Sequence, residues 1–193
     1  MSAPELILAS GSSYRRQQLE RLGLHCRAQA PNIDESRLPG EAPAAMARRL
    51  AALKAGTVVA QARGACVIAA DQVAACESRV LGKPGSAAAQ SEQLLFCSGK
   101  ELRFHTALTV IDASGTAHEH LDLTVCQVRE LTAAEVERYV AAEPAYDCAG
   151  GFKVEGLGIT LFERIESEDP SALIGLPLLA LCRILRQLGV AAF

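Results

Sequence analysis

Apolar residues follow two rhythms along this chain, unbroken short runs and helical spacings, and they alternate. Glu5-Leu6-Ile7-Leu8-Ala9 is a short apolar run that enters the small-residue turn Ser10-Gly11-Ser12-Ser13, the pattern of a buried strand and a tight turn. Residues 14–24 follow as a helix, with Leu19 and Leu22 one turn apart before Gly23. A short strand then opens into the loop Ala30-Pro31-Asn32-Ile33-Asp34-Glu35. Pro43, at a first helical position, starts a long helix to about residue 61, with Met46, Leu50 and Leu53 on one stripe and Lys54 beside it. Residues 66–76 form a second apolar run, interrupted by Asp71 and Gln72, that leads to Gly82-Lys83-Pro84.

The second half keeps alternating. Residues 86–97 read as a helix with Leu94 and Leu95 as core. Residues 102–112 and 121–128 alternate apolar with polar across Asp112-Ala113-Ser114-Gly115-Thr116, which predicts an antiparallel hairpin. Thr132-Ala133-Ala134-Glu135 is a capping box for a helix with Val136, Tyr139 and Val140 on one face. Residues 148–158 are dense in glycine, so backbone there can approach a ligand closely. Residues 159–165 read as a strand, and residues 177–188 as a final helix stopped by Gly189. This order predicts an α/β protein, a mixed twisted sheet with flanking helices, in one domain over residues 1–193.

Composition narrows the function. A net charge of -3 and a pI near 5.8 provide no general attraction to nucleic acid or to an anionic membrane, so an anionic ligand needs a local cluster of Lys and Arg. No apolar run approaches the ~18 residues of a membrane span, and the first residues lack a basic leader region; a cytoplasmic location is expected. The seven cysteines are odd in number and scattered, without a C-x-x-C pair, so they read as small buried apolar residues rather than zinc ligands or a disulfide framework.

Several polar residues stand where chemistry is expected. A carboxylate inside an apolar strand is costly unless a metal or a cation balances it, so Asp71 either has such a partner or starts a turn at an exposed strand end. The turn at 10–13 precedes a helix N-terminus, where unpartnered N–H groups and the helix dipole favour an anion. Arg15 and Arg16 oppose that dipole; either both face solvent, or one of them meets a phosphate. Lys54 either lays its stem over the core or points its ammonium into a site. His118 and His120 read as surface residues, with a metal pair as the alternative.

Ser10-Gly11-Ser12-Ser13-Tyr14-Arg15-Arg16, the acidic Glu35, Lys54 on its helix, Ala70-Asp71-Gln72-Val73 and Gly82-Lys83-Pro84 occur in the order and spacing of one family. Over essentially the whole chain the sequence resembles the Maf nucleoside triphosphate pyrophosphatases. The resemblance implies a two-lobed molecule with a central cleft, similar to the inosine triphosphatase (HAM1-like) fold. It further implies Asp71 as proton acceptor, Lys54, Lys83 and Glu35 as catalytic residues, and Ser10, Ser12 and Arg15 as phosphate-binding residues. Glu35 and Asp71 would hold a divalent metal cation, Mg²⁺ or Mn²⁺, and a homodimer is a further implication.

Tyr14, Gln72 and Glu155 stand where the dTTP- and UTP-cleaving branch has Arg, Thr and Gln, and this triple resembles the 7-methyl-GTP-cleaving branch. Glu155 can accept from the Watson-Crick edge of the cationic base, and Tyr14 can stack on it. The expected reaction is hydrolysis of 7-methyl-GTP to 7-methyl-GMP and pyrophosphate, a clean-up of modified nucleotides. The alternatives are the same chemistry on dTTP or UTP, or a nucleotide-binding regulator of septum formation. Cys148 stands where the other branch has Lys, so that lysine's role is not carried over to it, and Lys153 is the candidate to stand near the phosphates instead.

Overall fold

The computed structural model describes residues 4–190. Its elements run β1 (Leu6–Leu8), α1 (Ser13–Arg21), β2 (Arg27–Ala28), α2 (Pro43–Val59), β3 (Cys66–Cys76), β4 (Arg79–Leu81), α3 (Ala87–Cys97), β5 (Glu101–Ile111), β6 (Ala117–Val128), α4 (Ala133–Ala142), β7 (Phe162–Glu166) and α5 (Leu178–Gln187). The sheet has strand order β2-β1-β3-β5-β6-β7, with β4 on β3. β1 pairs in parallel with β2 and β3, whereas β3 with β4 and β6 with β7 are antiparallel. This is the mixed α/β sheet the sequence predicts. The chain divides into two compact units, one of Met1–Asp71, Thr106–Asp122 and Asp169–Phe193, the other of Gln72–His105 and Leu123–Glu168.

In the first unit, β1 and the first half of β3 are buried on both faces, which is why they read as continuous apolar runs rather than alternating ones. Leu8, Cys66, Ile68 and Ala70 pack with Leu19 of α1 and with Leu181, Ile184 and Leu185 of α5. Ile7, Ala9, Val67 and Ala69, one residue out of step, pack with Ala55 and Val58 of α2. Side chains alternate across a strand, so Asp71, two residues beyond Ala69, belongs to the face that α2 covers.

In the second unit α3 packs on α4. Phe152 makes edge contacts with Phe104 and Phe162, with ring centroids 5.5 and 4.7 Å apart. The capping box forms as predicted: Thr132 Oγ1 accepts from the Glu135 N–H, and Glu135 Oε2 accepts from the Thr132 N–H at 2.8 Å. Gln90, fully buried on α3, donates to the carbonyls of Gly151 and Glu143 and accepts from the Ala145 N–H.

Several sequence expectations shift. The buried row of α2 is Ala47, Leu50, Ala51, Lys54, Ala55 and Val58, whereas Leu53 is exposed; Lys54, not Leu53, falls one turn from both Leu50 and Val58. Leu94 is core but Leu95 is exposed. The strand expected at 159–165 begins only at Phe162, because Leu157–Leu161 winds into a 3₁₀ turn. β6 starts four residues before the expected position, at Ala117, and β4 was not anticipated.

The seven cysteines are free, four of them buried, and burial alone pushes the Cys126 thiol up to about 12. His118 sits 3.0 Å from Asp112 across the hairpin turn. Among the described residues no three His, Cys, Asp or Glu side chains gather as a metal site, and no helix is long and apolar enough to cross a membrane.

Candidate active site

The first unit brings six of the predicted residues into two linked groups. Ser12 caps α1, its Oγ accepting from the Arg15 N–H at 3.4 Å. Ser10 Oγ accepts from the Ser12 N–H at 3.1 Å and from Arg15 Nη1 at 3.3 Å. The turn therefore bends its own hydroxyl groups onto the helix start, where anions are favoured.

Arg15 is held from the opposite side, by Nε donating to the carbonyl of Gly175 at 2.7 Å. Gly175 has φ of 120°, which only glycine adopts without strain, and a Cβ there would stand 3.4 Å from Arg15 Nε. The segment carrying Gly175 is tied down by Asp169, which accepts from the Ser171 N–H, the Ser171 hydroxyl and the Leu179 N–H, and by Gln18, whose Nε2 donates to the Ser171 carbonyl at 2.9 Å. Burial lowers the Arg15 guanidinium from its usual value, while the charges of Asp71 and Glu35 raise it. Arginine stays cationic across such shifts. Arg16 instead points along the exposed helix surface toward Glu20, 3.8 Å away.

The second group is Glu35, Lys54 and Asp71. Lys54 Nζ lies 2.6 Å from Asp71 Oδ1 and 2.8 Å from Glu35 Oε1. Asp71 and Lys54 are both buried, and Glu35 reaches in from an exposed loop. The alanines of α2 allow close approach to the sheet, and strand alternation turns Asp71 toward that helix. The loop is tied to α2 by Arg49, whose guanidinium grips Glu41 through two bonds of 2.6 and 2.8 Å and reaches the Ser36 carbonyl at 3.0 Å. That hydrogen-bonded Arg49 holds the Glu41 carboxyl down to about 2. Asp71 is interior to β3, which rules out the exposed strand-end reading.

The remaining predicted residues lie elsewhere in the chain. Tyr14 is half-buried on α1. Gln72, next to Asp71 in β3, opens the second unit and is half-buried. Lys83 is exposed in the loop after β4, whose Gly82 carbonyl accepts from Gln93 Nε2 at 3.2 Å. Glu155 is exposed in a turn within the glycine-dense stretch. Sequence reasoning missed Gly175, Asp169, Gln18 and the Glu41–Arg49 pair. None sits in a motif, and each acts on a partner distant in the chain or through a loop with no periodicity.

The first unit thus holds two carboxylates sharing one ammonium, a capped helix start and a held arginine, on a mixed α/β sheet. The chain belongs to the Maf family, whose Maf-like protein model matches residues 5–188. It is 55% identical to the 7-methyl-GTP pyrophosphatase of Xanthomonas oryzae pv. oryzae over 186 residues, 96% of this chain and 97% of that protein. It is 48% identical to the protein of the same name from Bordetella avium (97% of this chain, 94% of that one), and 47% identical to that from Cupriavidus metallidurans (98% and 96%). Among solved structures, a HAM1 protein from Coxiella burnetii shares the fold with a TM-score of 0.52 at 18% identity, covering 98% of this chain and all of that one. The HAM1-like fold implied by the motifs is therefore found.

Proposed function

We propose that the chain hydrolyses the α-β phosphoanhydride of 7-methyl-GTP, releasing 7-methyl-GMP and pyrophosphate. The observation that supports this most is the convergence of Asp71 and Glu35 on Lys54, in a chain whose full-length relatives bear that activity in their names. A nucleoside triphosphate brings about four negative charges, so its cleavage requires cations at the phosphates and a base for water. Arg15, Lys54 and Lys83 provide the cations, and the Ser10 and Ser12 hydroxyl groups provide donors.

Asp71 is assigned the proton of the attacking water. Its 2.6 Å bond to Lys54 fixes its orientation. The arrangement fits a divalent cation: Mg²⁺ is bound through one or two carboxylates plus substrate phosphates, and Asp71 and Glu35 are two carboxylates converging on one point, with no third acidic or histidine ligand grouped with them among the described residues. Such a cation, when bound, neutralises phosphate charge.

Tyr14, Gln72 and Glu155 are assigned the choice of base. N7-methylguanine carries a delocalised positive charge and N–H donors on its Watson-Crick edge, which suit an aromatic face and a carboxylate. Pyrophosphate release from a panel containing 7-methyl-GTP, GTP, dTTP and UTP, with Mg²⁺ or Mn²⁺, tests the reading. Preferential cleavage of 7-methyl-GTP that disappears in Asp71→Asn is expected. Preference for dTTP or UTP would overturn the base assignment, and binding without turnover would point to a nucleotide-sensing role instead.

A further inference from the structure

We infer that Tyr139 and Glu143 are positioning residues for base selection, acting by clamping the turn that carries Glu155; this rests on the assignment of Glu155 to the base. Tyr139 and Glu143 are one helical turn apart at the end of α4, and Tyr139 Oη donates to Glu143 Oε2 at 2.9 Å. The Tyr139 oxygen accepts from the Lys153 N–H at 3.3 Å. Glu143 accepts from the Leu157 N–H at 3.1 Å and the Gly158 N–H at 3.0 Å. The pair therefore grips the turn on both sides of Glu155.

The turn is also closed on itself. The N–H groups of Gly156 and Gly158 both donate to the Lys153 carbonyl, at 3.2 and 3.1 Å. A Cβ on Gly156 would overlap the Glu143 carboxylate, and one on Gly158 would overlap the backbone of Lys153. The close approach of carboxylate and backbone is possible only because both positions are glycine. Tyr139 is buried, so the anchor sits on a packed helix rather than on another loop.

Glu155 is the residue this clamp leaves out. It is exposed, and its carboxylate has no hydrogen-bond or ion-pair partner among the described residues. A turn held by two side chains and two internal hydrogen bonds, displaying one unspent acidic group, is preorganised for a ligand rather than built for its own stability. Carboxylate oxygens accept from two backbone donors and a phenol at Glu143. A glutamine there presents an N–H₂ group to one of those donors, which loosens the turn without removing the side chain's bulk.

The test compares kcat/KM for 7-methyl-GTP and for GTP in the wild type and in Glu143→Gln, Tyr139→Phe, Glu155→Gln and the Glu143→Gln/Glu155→Gln double variant. Loss of one charged hydrogen bond at the clamp is expected to lower the 7-methyl-GTP to GTP ratio about tenfold in Glu143→Gln and by a smaller factor in Tyr139→Phe. The double variant should show the ratio of Glu155→Gln alone, because both changes act through the same carboxylate. Equal losses on both substrates, or a lower melting temperature with an unchanged ratio, would make the clamp purely structural and overturn the inference. A ratio that moves in Glu155→Gln but not in Glu143→Gln defeats this inference alone; a ratio that moves in neither defeats the assignment of Glu155 as well.

Discussion

Lys54 and Asp71, from a helix and a strand 17 residues apart, meet at 2.6 Å with each side chain 8% exposed. A pair this enclosed has left most of its hydration behind, so each partner depends on the other.

Replacing Lys54 with Met should therefore be costly in two ways. The buried carboxylate of Asp71 would lose its balancing charge, which lowers the unfolding free energy by about 3 kcal/mol. On the proposed role of Lys54 at the phosphates, kcat should also fall by about 100-fold or more. Urea unfolding and single-substrate kinetics check both, and an unchanged urea midpoint would contradict the view that the pair is buried and interdependent.

Arg15 makes two bonds of different direction, to Gly175 and to Ser10, which a lysine cannot reproduce from one point charge. On the proposed phosphate role of Arg15, Arg15→Lys should weaken binding of the triphosphate about tenfold while leaving the fold intact. Isothermal titration with a non-hydrolysable triphosphate measures this, and wild-type affinity in the variant would separate Arg15 from phosphate binding.

Acid should act on the hairpin turn. His118, then the Ser114 hydroxyl, with further help from the backbone N–H groups of Thr116 and Ser114, hold the Asp112 carboxyl well below the usual range, against a smaller opposing effect of burial. A depressed folded value means that Asp112 contributes stability that is fully present above the unfolded value of about 3.9 and is lost as pH falls toward the folded one. Asp112→Asn should therefore be less stable than wild type at pH 7, with the gap closing below about pH 4. Urea midpoints measured from pH 7 down to pH 2 check this; a gap that stays constant with pH would contradict it.

Gly158→Ala should destabilise the second unit, because its Cβ would meet the backbone carbonyl, carbon and nitrogen of Lys153 rather than a movable side chain. A loss of about 1–3 kcal/mol is expected from forced backbone displacement. Gly115, with nothing within 4 Å but with φ of 89°, is the contrasting case, since Gly115→Ala costs only backbone strain. Thermal melts of both variants separate the two causes, and equal small losses would show that the 153–158 turn yields easily.

How much of this was legible in the chain differs from residue to residue. Asp71 announced itself, because a charge in a strand whose other residues, Gln72 apart, are all apolar has few inexpensive explanations. The strand bounds at Cys66 and Cys76 and the capping box at Thr132 were equally plain, since burial on both sheet faces and helix capping leave local marks. Lys54 was found through the family motif, whereas periodicity placed the buried row on Leu53. The alanines at 47, 51 and 55, which bring the helix close, carry little hydrophobic signal.

Arg15 was legible through the family motif that spaces it from Ser10 and Ser12, but the carbonyl 160 residues further on that holds it was not. The late strand was drawn too early for a similar reason. Leu157, Ile159 and Leu161 have the composition of a strand, but Glu143 caps their first N–H groups and turns them into a helix of one turn.

The two glycines packed against Glu143 and Lys153 also limit how the protein can be altered. The shape of the 153–158 turn is stored where side chains are missing, so substitutions at Gly156 or Gly158 damage it rather than retune it. On the assignment of Glu155 to the base, anyone redesigning this protein for another base has position 155 as the editable letter of that turn, and the letters at 156 and 158 must be left blank.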